Sequence, residues 1–292
     1  MPELPEVEVT RRKLMPLLVG RRIARVKCTA NSYFFLTPPK TLVRKLQGRT
    51  AMELQRHGKY LIAQLDDHSR LLLHLGMTGQ LFGDQVDSVQ LLRRTANAAI
   101  KTPAGSRFVP DTHTHVTLEL EGPGGDVYFR DPRKFGKVQW LAEHESCERL
   151  QRLGTDALDA TGDTLYSAAQ HRKIPIKSLL LDQSVLAGIG NIYADEALFR
   201  VRISPLRAAH AVSRKQCQAL VAAVRSVMLR SIETGGSSIS DYLQPDGQRG
   251  QFQDERAVYG LAGEPCMKCK TILHRITISG RSSHYCPRCQ PS

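Results

Sequence analysis

No stretch of this 292-residue chain approaches the roughly 18–20 consecutive apolar residues that a membrane span needs. The opening MPELPEVEVTRRK alternates acids with bases and has no apolar h-region, so a signal peptide is not expected. These two absences lead to the expectation of a cytoplasmic protein with no membrane partner. Internal repeats and low-complexity tracts are missing as well, and the hydrophobic share of 41% is ordinary for a globular protein. Acid is scarce relative to base. There are 28 acidic residues against 41 Lys and Arg, a formal charge of +13. Such a surplus favours a polyanionic partner, most simply nucleic acid, although charge alone does not separate DNA from RNA, a membrane surface or an acidic protein. A dinucleotide fingerprint is also lacking. Gly188-Ile189-Gly190 precedes a helical pattern, but Tyr193 stands where the third glycine belongs. By itself this reads as a turn with Asn191 as a helix N-cap.

The pattern along the chain divides in two. Residues 5–18 read as a helix, with Pro5 in its first turn and Val7, Leu14 and Leu18 near one face. From about 22 to 140 the period becomes two. Strands are expected over Arg22–Ala30, Met52–Leu65, Arg70–Phe82, His115–Leu120 and Asp126–Trp140, which suggests a β-sandwich or barrel. Residues 84–112 look like a long surface loop, and 142–165 like a linker. Beyond it the pattern is helical. Ser213 and Gln216 form a capping-box pair, followed by Cys217, Leu220, Val221, Val224 and Met228 at helical spacing. Gly235-Gly236-Ser237-Ser238 ends that helix, and the Gly-, Gln- and Asp-rich stretch 240–256 suggests a mobile loop.

Four of the seven cysteines form two C-x-x-C pairs, Cys266/Cys269 and Cys286/Cys289. Their spacing fits a zinc ribbon or finger. Four thiolates leave no open position for water, so one structural Zn²⁺ is expected. Cys28, Cys147 and Cys217 are scattered and expected to be reduced. Lys270, His274, Arg275 and Arg281 between the pairs would make a basic hairpin suited to phosphates.

The start PELPEVE places two prolines and three carboxylates, Glu3, Glu6 and Glu8, within seven residues. The bland reading is a helix N-terminus with acids suited to the macrodipole. The same segment opens a series of blocks: HGKYL (57–61), HLGMTG (74–79), DPRKFG (131–136), GIGNIYADEALF (188–199), VYG and the four-cysteine segment. In order and spacing the chain resembles the formamidopyrimidine-DNA glycosylase family almost end to end. The resemblance implies an α+β fold: a two-layered β-sandwich with flanking helices over 1–141, the linker 142–165, a helix–two-turn–helix domain with a lesion-capping loop over 166–258, and a zinc finger over 259–292.

It also implies a bifunctional DNA glycosylase and AP lyase acting on damaged double-stranded DNA, with no soluble cofactor. Removal of Met1 would expose the secondary amine of Pro2 as nucleophile. An α-amine titrates near 7.7–8.0, so ~10% is neutral near pH 7, against less than ~0.1% of a lysine. Condensed with a sugar aldehyde carbon, a secondary amine gives a permanently charged iminium, an electron sink for elimination. By the same resemblance Glu3 is the general acid, supported by Glu6. Lys59 is a proton donor in β-elimination or a phosphate clamp, and Arg281 is the finger arginine of the last elimination. Phosphate contacts fall to His74, His113, Arg172, Asn191 and Tyr259. Met77, Arg133 and Phe135 fill the void left by the extruded nucleotide, and Gly235–Phe252 closes over the flipped purine. The departures are small: Lys134 stands where many relatives have Arg, and Leu261 where a basic residue is common. The implied setting is a monomer in the bacterial cytoplasm, at the nucleoid. Two alternatives stand beside this reading. One is an enzyme similar to endonuclease VIII for oxidised pyrimidines, against which Leu4 replaces the glycine of its PEGPE start. The other is a catalytically silent lesion binder, against which Pro2 and Glu3 are both retained.

Overall fold

A helix opens the chain. In a computed structural model that describes residues 2–86, 91–92, 99–100, 106–239 and 241–291, α1 spans Leu4–Leu18. Pro5 sits in the first turn, where its missing N–H removes no helical hydrogen bond. Leu4, Val7, Leu14 and Leu18 are buried, each side chain contributing about 1.5–3 kcal/mol by leaving water. The chain divides into two compact units, Met1–Cys147 with Thr234–Gln253, and Glu148–Glu233 with Asp254–Ser292.

The first unit holds two four-stranded antiparallel sheets among its described residues. One orders β1 (Ile23–Cys28), β6 (Thr114–Leu120), β7 (Val127–Arg130) and β5 (Gln80–Gly83). The other orders β8 (Lys137–Leu141), β4 (Arg70–His74), β3 (Tyr60–Leu65) and β2 (Ala51–His57). Along β3, Leu61, Ala63 and Leu65 point inward while their neighbours are half-exposed, the period of two expected of a strand covered on one face. A single core takes Val26, Val116, Leu118 and Phe129 from one sheet, Leu54, Leu61, Leu71 and Leu73 from the other, and Leu14, Leu18, Leu42 and Leu46 from α1 and α2 (Pro39–Leu46).

Three of the expected strands are each broken in two. Met52–Leu65 turns at Gly58-Lys59, Arg70–Phe82 at 75–79, and Asp126–Trp140 at 131–136. Gly58, Gly76 and Lys134 have φ of +55°, +60° and +59°, a left-handed backbone that no strand can hold. About half of the 84–112 segment, expected as a long surface loop, lies outside the described residues; the described part includes two short antiparallel pairings, 85–86 with 106–107 and 91–92 with 99–100. Near its end, Phe108 is buried between Phe82 and Tyr128, with ring centroids 4.8 Å from each.

Composition suggested a mobile loop over 240–256. The described residues there are irregular but packed. Tyr242, Leu243 and Phe252 are buried, Leu243 against Phe82, Phe108 and Tyr128. The Gly83 N–H donates to Pro245 O at 3.0 Å, and the Tyr242 hydroxyl donates to Glu6 O at 3.1 Å. A few large side chains supply the anchorage that the polar majority hides.

In the second unit, α3 (Glu148–Gln151) and α4 (Gly162–Ala169) fall partly within the expected linker, with a short parallel bridge of Thr155–Asp156 to Leu186–Ala187 between them. Ala157, Ala160, Leu165 and Ala169 are buried, few enough apolar positions that their periodicity was weak. Then follow α5 (Ile176–Leu180), α6 (Asn191–Arg200) and α7 (Arg214–Glu233). The expected capping box opens α7. Gln216 N–H donates to Ser213 Oγ at 3.3 Å, and Ser213 N–H to Gln216 Oε1 at 3.0 Å. Gly235 and Gly236, at φ +79° and +87°, follow its last turn. The chain then forms a hairpin of β9 (His274–Ile278) and β10 (Arg281–Tyr285). Ser279 and Gly280 between them both have positive φ, as a type I′ turn requires.

Candidate functional site

The three N-terminal carboxylates have separate environments. Glu3 is buried in extended conformation at the N-cap of α1. Glu6, also buried, accepts the Glu3 N–H on Oε2 at 2.9 Å and the Ser237 N–H on Oε1 at 2.8 Å. One carboxylate thus ties the start of the chain to the segment expected to cover a flipped base. Glu8 lies among Arg11, Arg12 and Arg56, at 2.9, 2.8 and 3.2 Å. Burial opposes its ionisation, but hydrogen bonds from Arg11 and Arg12 and the charges of Arg11 and Arg56 hold its carboxyl down at about 2. Pro2 is buried, and Met1 lies outside the described residues.

The breaks in the strands carry the other expected groups of this unit. Lys59 occupies the β2–β3 turn, half-buried. His74 ends β4, its ring centroid 4.6 Å from that of Tyr60. The Gly76 N–H donates to His74 Nδ1 at 3.0 Å, so a neutral ring carries its proton on Nε2 and presents a donor there. Of the two histidines in H-x-H, His115 is buried between Thr29 Oγ1 and Asp131 O, and burial lowers its pKa. His113 is half-buried, with its backbone N–H on Asp111 Oδ1 at 3.0 Å.

Met77, Arg133 and Phe135 come together on two adjoining turns. A Cβ on Gly76 would lie 2.4 Å from the Phe135 carbonyl carbon, so only glycine lets the turns approach so closely. The Arg133 guanidinium carbon sits 4.6 Å from the Phe135 ring centroid. Met77 and Phe135 are each 40% exposed, although both are large and apolar. Asp131, fully buried and not anticipated from sequence, fixes this turn. Its Oδ1 accepts from Thr78 Oγ1 and Arg133 N–H, and its Oδ2 from Gly136 N–H at 2.6 Å. The signal was present in the acid that opens DPRKFG.

In the second unit Asn191 is the first residue of α6 and Gly190 the N-cap, one position earlier than the bare turn reading. Asn191 Oδ1 is buried without a hydrogen-bond partner among the described residues. Arg172 is exposed and pairs with Asp182 at 3.2 Å. Tyr259 packs edge-on against His284, and Glu196 accepts the N–H groups of Ala257, Val258 and Tyr259 at 2.8–2.9 Å. Burial raises the Glu196 pKa. Asp195 meets the Lys177 ammonium at 2.7 Å and the His284 N–H at 2.8 Å, pinning β10 to α6. Arg281 leads β10, exposed beside the hairpin turn. Lys177, Asp195 and Glu196 escaped the sequence reading, where a charge inside an apolar helical run was their only mark.

The Sγ atoms of Cys266, Cys269, Cys286 and Cys289 lie within 4.8 Å of one another. Cys269–Cys286 at 3.4 Å and Cys266–Cys289 at 4.0 Å are too far apart for disulfides and bracket the ~3.8 Å edge of a tetrahedron with 2.3 Å Zn–S bonds. The four thiols fit one structural zinc.

Family models match at three places: the formamidopyrimidine-DNA glycosylase N-terminal domain over 1–138, its H2TH domain over 153–242, and the zinc finger found in FPG and IleRS over 263–291. The formamidopyrimidine-DNA glycosylase of Cereibacter sphaeroides is 42% identical over 300 residues, covering 99% of this chain and all of that one. The Thermus thermophilus enzyme is 38% identical over 296 residues, covering 99% and 98%. Among solved structures, the MutM (Fpg) protein of Thermus thermophilus superposes with a TM-score of 0.82 at 37% identity, covering 99% and 98%. The Lactococcus lactis Fpg bound to DNA containing an abasic site gives 0.84 at 29% identity, covering 99% and 100%. With three domain models in sequence and relatives near 40% identity over its full length, this chain belongs to the formamidopyrimidine-DNA glycosylase family.

Proposed function

We propose that this DNA glycosylase of base excision repair excises oxidised purines, 8-oxoguanine and formamidopyrimidines, from duplex DNA and then cuts the strand through Pro2. The observation that carries the reading is the exposed wedge of Met77, Arg133 and Phe135, held rigid by Asp131 in a protein whose other large apolar groups are mostly buried. An enzyme that must reach inside a duplex extrudes its target and fills the hole. Met77 and Phe135 fill it with apolar surface, and Arg133 faces the base left unpaired.

The chemistry follows from the N-terminus. The Pro2 nitrogen attacks C1′ while Glu3 supplies the proton that lets the ring oxygen or the base leave. The resulting iminium withdraws electrons. Loss of a C2′ proton expels the 3′ phosphate by β-elimination, with Lys59 in proton transfer or on phosphate. A second elimination, assigned to Arg281, expels the 5′ phosphate and leaves a one-nucleotide gap. Glu6 supports Glu3 by fixing its backbone N–H. His74, through its Nε2 proton, and His113, Arg172, Asn191 and Tyr259 hold backbone phosphates. No step calls for a soluble cofactor. The protein acts as a monomer on damaged double-stranded DNA in the bacterial cytoplasm, at the nucleoid.

The test is a borohydride trap on duplex DNA containing 8-oxoguanine, in EDTA, with the cross-linked residue mapped by mass spectrometry. The expected adduct is on Pro2 of a chain lacking Met1, because an acylated proline nitrogen has no basic lone pair. A lysine adduct, or full activity from chains that all retain Met1, would remove Pro2 from the mechanism. Thymine glycol excised far faster than 8-oxoguanine would move the assignment to pyrimidines.

A further inference from the structure

We infer that Tyr33, outside every motif of the family pattern, is a positioning residue that holds Arg133 toward the unpaired base. The inference rests on the reading of Arg133 given above. Tyr33 is 58% exposed, yet its hydroxyl is spent inside the protein, donating to the backbone carbonyl of Arg133. The other end of the same residue is held too, because the Arg133 N–H donates to Asp131 Oδ1 at 3.2 Å. With both backbone groups tied, the point and angle at which the Arg133 side chain leaves the turn are set before DNA arrives. The guanidinium then needs only the Phe135 face, 4.6 Å away, to complete its orientation.

Tyr33 is itself stiffly mounted. Phe34 is fully buried, its ring 4.9 Å from Phe129 and 5.0 Å from Phe35. Phe34 O accepts the Val138 N–H at 3.1 Å, and Leu36 N–H donates to Val138 O at 2.9 Å, so the segment lies along β8 like a short strand. The Tyr33 ring is 6.3 Å from that of Phe135 and lies 4.9 Å beneath the Lys137 ammonium. Lys137 Nζ also donates to Gly136 O at 3.1 Å. Tyr33 and Lys137 therefore brace the wedge turn through contacts that Asp131 does not make.

Tyr33→Phe removes only the hydroxyl. Single-turnover excision of 8-oxoguanine opposite cytosine and opposite adenine should show the ratio of rates compressed by about three- to tenfold, the range of one hydrogen bond. Tyr33→Leu, which also removes the ring, should compress it at least as far. In an Arg133→Ala background Tyr33→Phe should change the ratio by less than about twofold, because the two act through one group. A wild-type ratio in Tyr33→Phe, or an equal change in both backgrounds, would overturn the inference. So would a parallel fall in strand cutting at a pre-formed abasic site, which marks a general defect. If Arg133→Ala itself keeps the wild-type ratio, the reading of Arg133 fails and this inference falls with it; compression by Arg133→Ala but not by Tyr33→Phe sinks the Tyr33 inference alone.

Discussion

Glu8 shows how one buried acid can be kept charged. Its carboxyl is only 8% exposed and is surrounded by Arg11, Arg12 and Arg56. Its pKa of about 2 lies below the ordinary glutamate value of 4.5, so the charged form is favoured by folding. The stability this gives is fully present above pH ~4.5 and is lost as pH falls toward 2. Glu8→Gln should therefore cost on the order of 2–3 kcal/mol in chemical denaturation at pH 7, with the difference from wild type shrinking as pH falls through that window. A difference that is constant from pH 7 to pH 3 would mean that the charge is not what matters. Arg133 poses a different problem at the same scale. Guanidinium offers donors only, which suits the O2 and N3 acceptors of cytosine, whereas adenine presents an N6 donor that Arg133 cannot accept. Excision should be faster opposite cytosine by roughly ten- to a hundredfold, the cost of one unsatisfied polar group. Arg133→Ala should compress that ratio, measured by single-turnover excision from paired duplexes; equal wild-type rates would show that Arg133 does not read the partner.

Among the elements, the turns of the first unit carry Lys59, Met77, Arg133 and Phe135, and the strands carry the turns. Each turn is short, and each sits at the end of a strand whose register is fixed by a buried face, so its side chains inherit the rigidity of the sheet. Gly76 is where two such turns meet. Alanine there would be strained at φ +60° and would push its Cβ to 2.4 Å from the Phe135 carbonyl carbon. The wedge would have to move by a fraction of an ångström or more. Gly76→Ala should slow excision from duplex DNA by roughly tenfold to a hundredfold, while cleavage of a single-stranded abasic site, which needs no extrusion, should suffer less. Equal losses on the two substrates would show that the turn does not serve extrusion.

At the level of the whole molecule, each unit has its own means of holding its site. The first relies on a two-sheet core, and a separate cluster of Phe82, Phe108, Tyr128 and Leu243 together with the Glu6 carboxylate anchors the 234–253 segment. The finger of the second unit is a two-stranded hairpin, marginal by itself in water. Four thiolates and a zinc, worth about 10–16 kcal/mol in comparable finger peptides, supply what its small core cannot. Cys286→Ser should lose zinc and DNA affinity together, measured by metal content and by lesion-duplex binding on the same preparation. Metal lost with binding and nicking unchanged would refute a role for the finger.

What local chemistry can specify is legible in the order of the residues. α1 and the capped start of α7 are written in Pro5 and in the Ser213–Gln216 pair, since capping and helical period involve residues at most a few positions apart. The four cysteines declared the metal through spacing alone. The ordered blocks from PELPEVE to VYG marked the family and nominated the site. Where the strands break is a matter of long-range packing, because hydrophobic period reports which side chains are buried and not whether the chain runs on or turns back. Long-range packing also decided the partners of the buried charges. The second Glu6 oxygen is satisfied by Ser237, 231 residues away, and Lys177 and Asp195 meet the finger strand, contacts no local pattern encodes. A buried charge must find its partner wherever the fold brings one, and that is a property of the packed molecule.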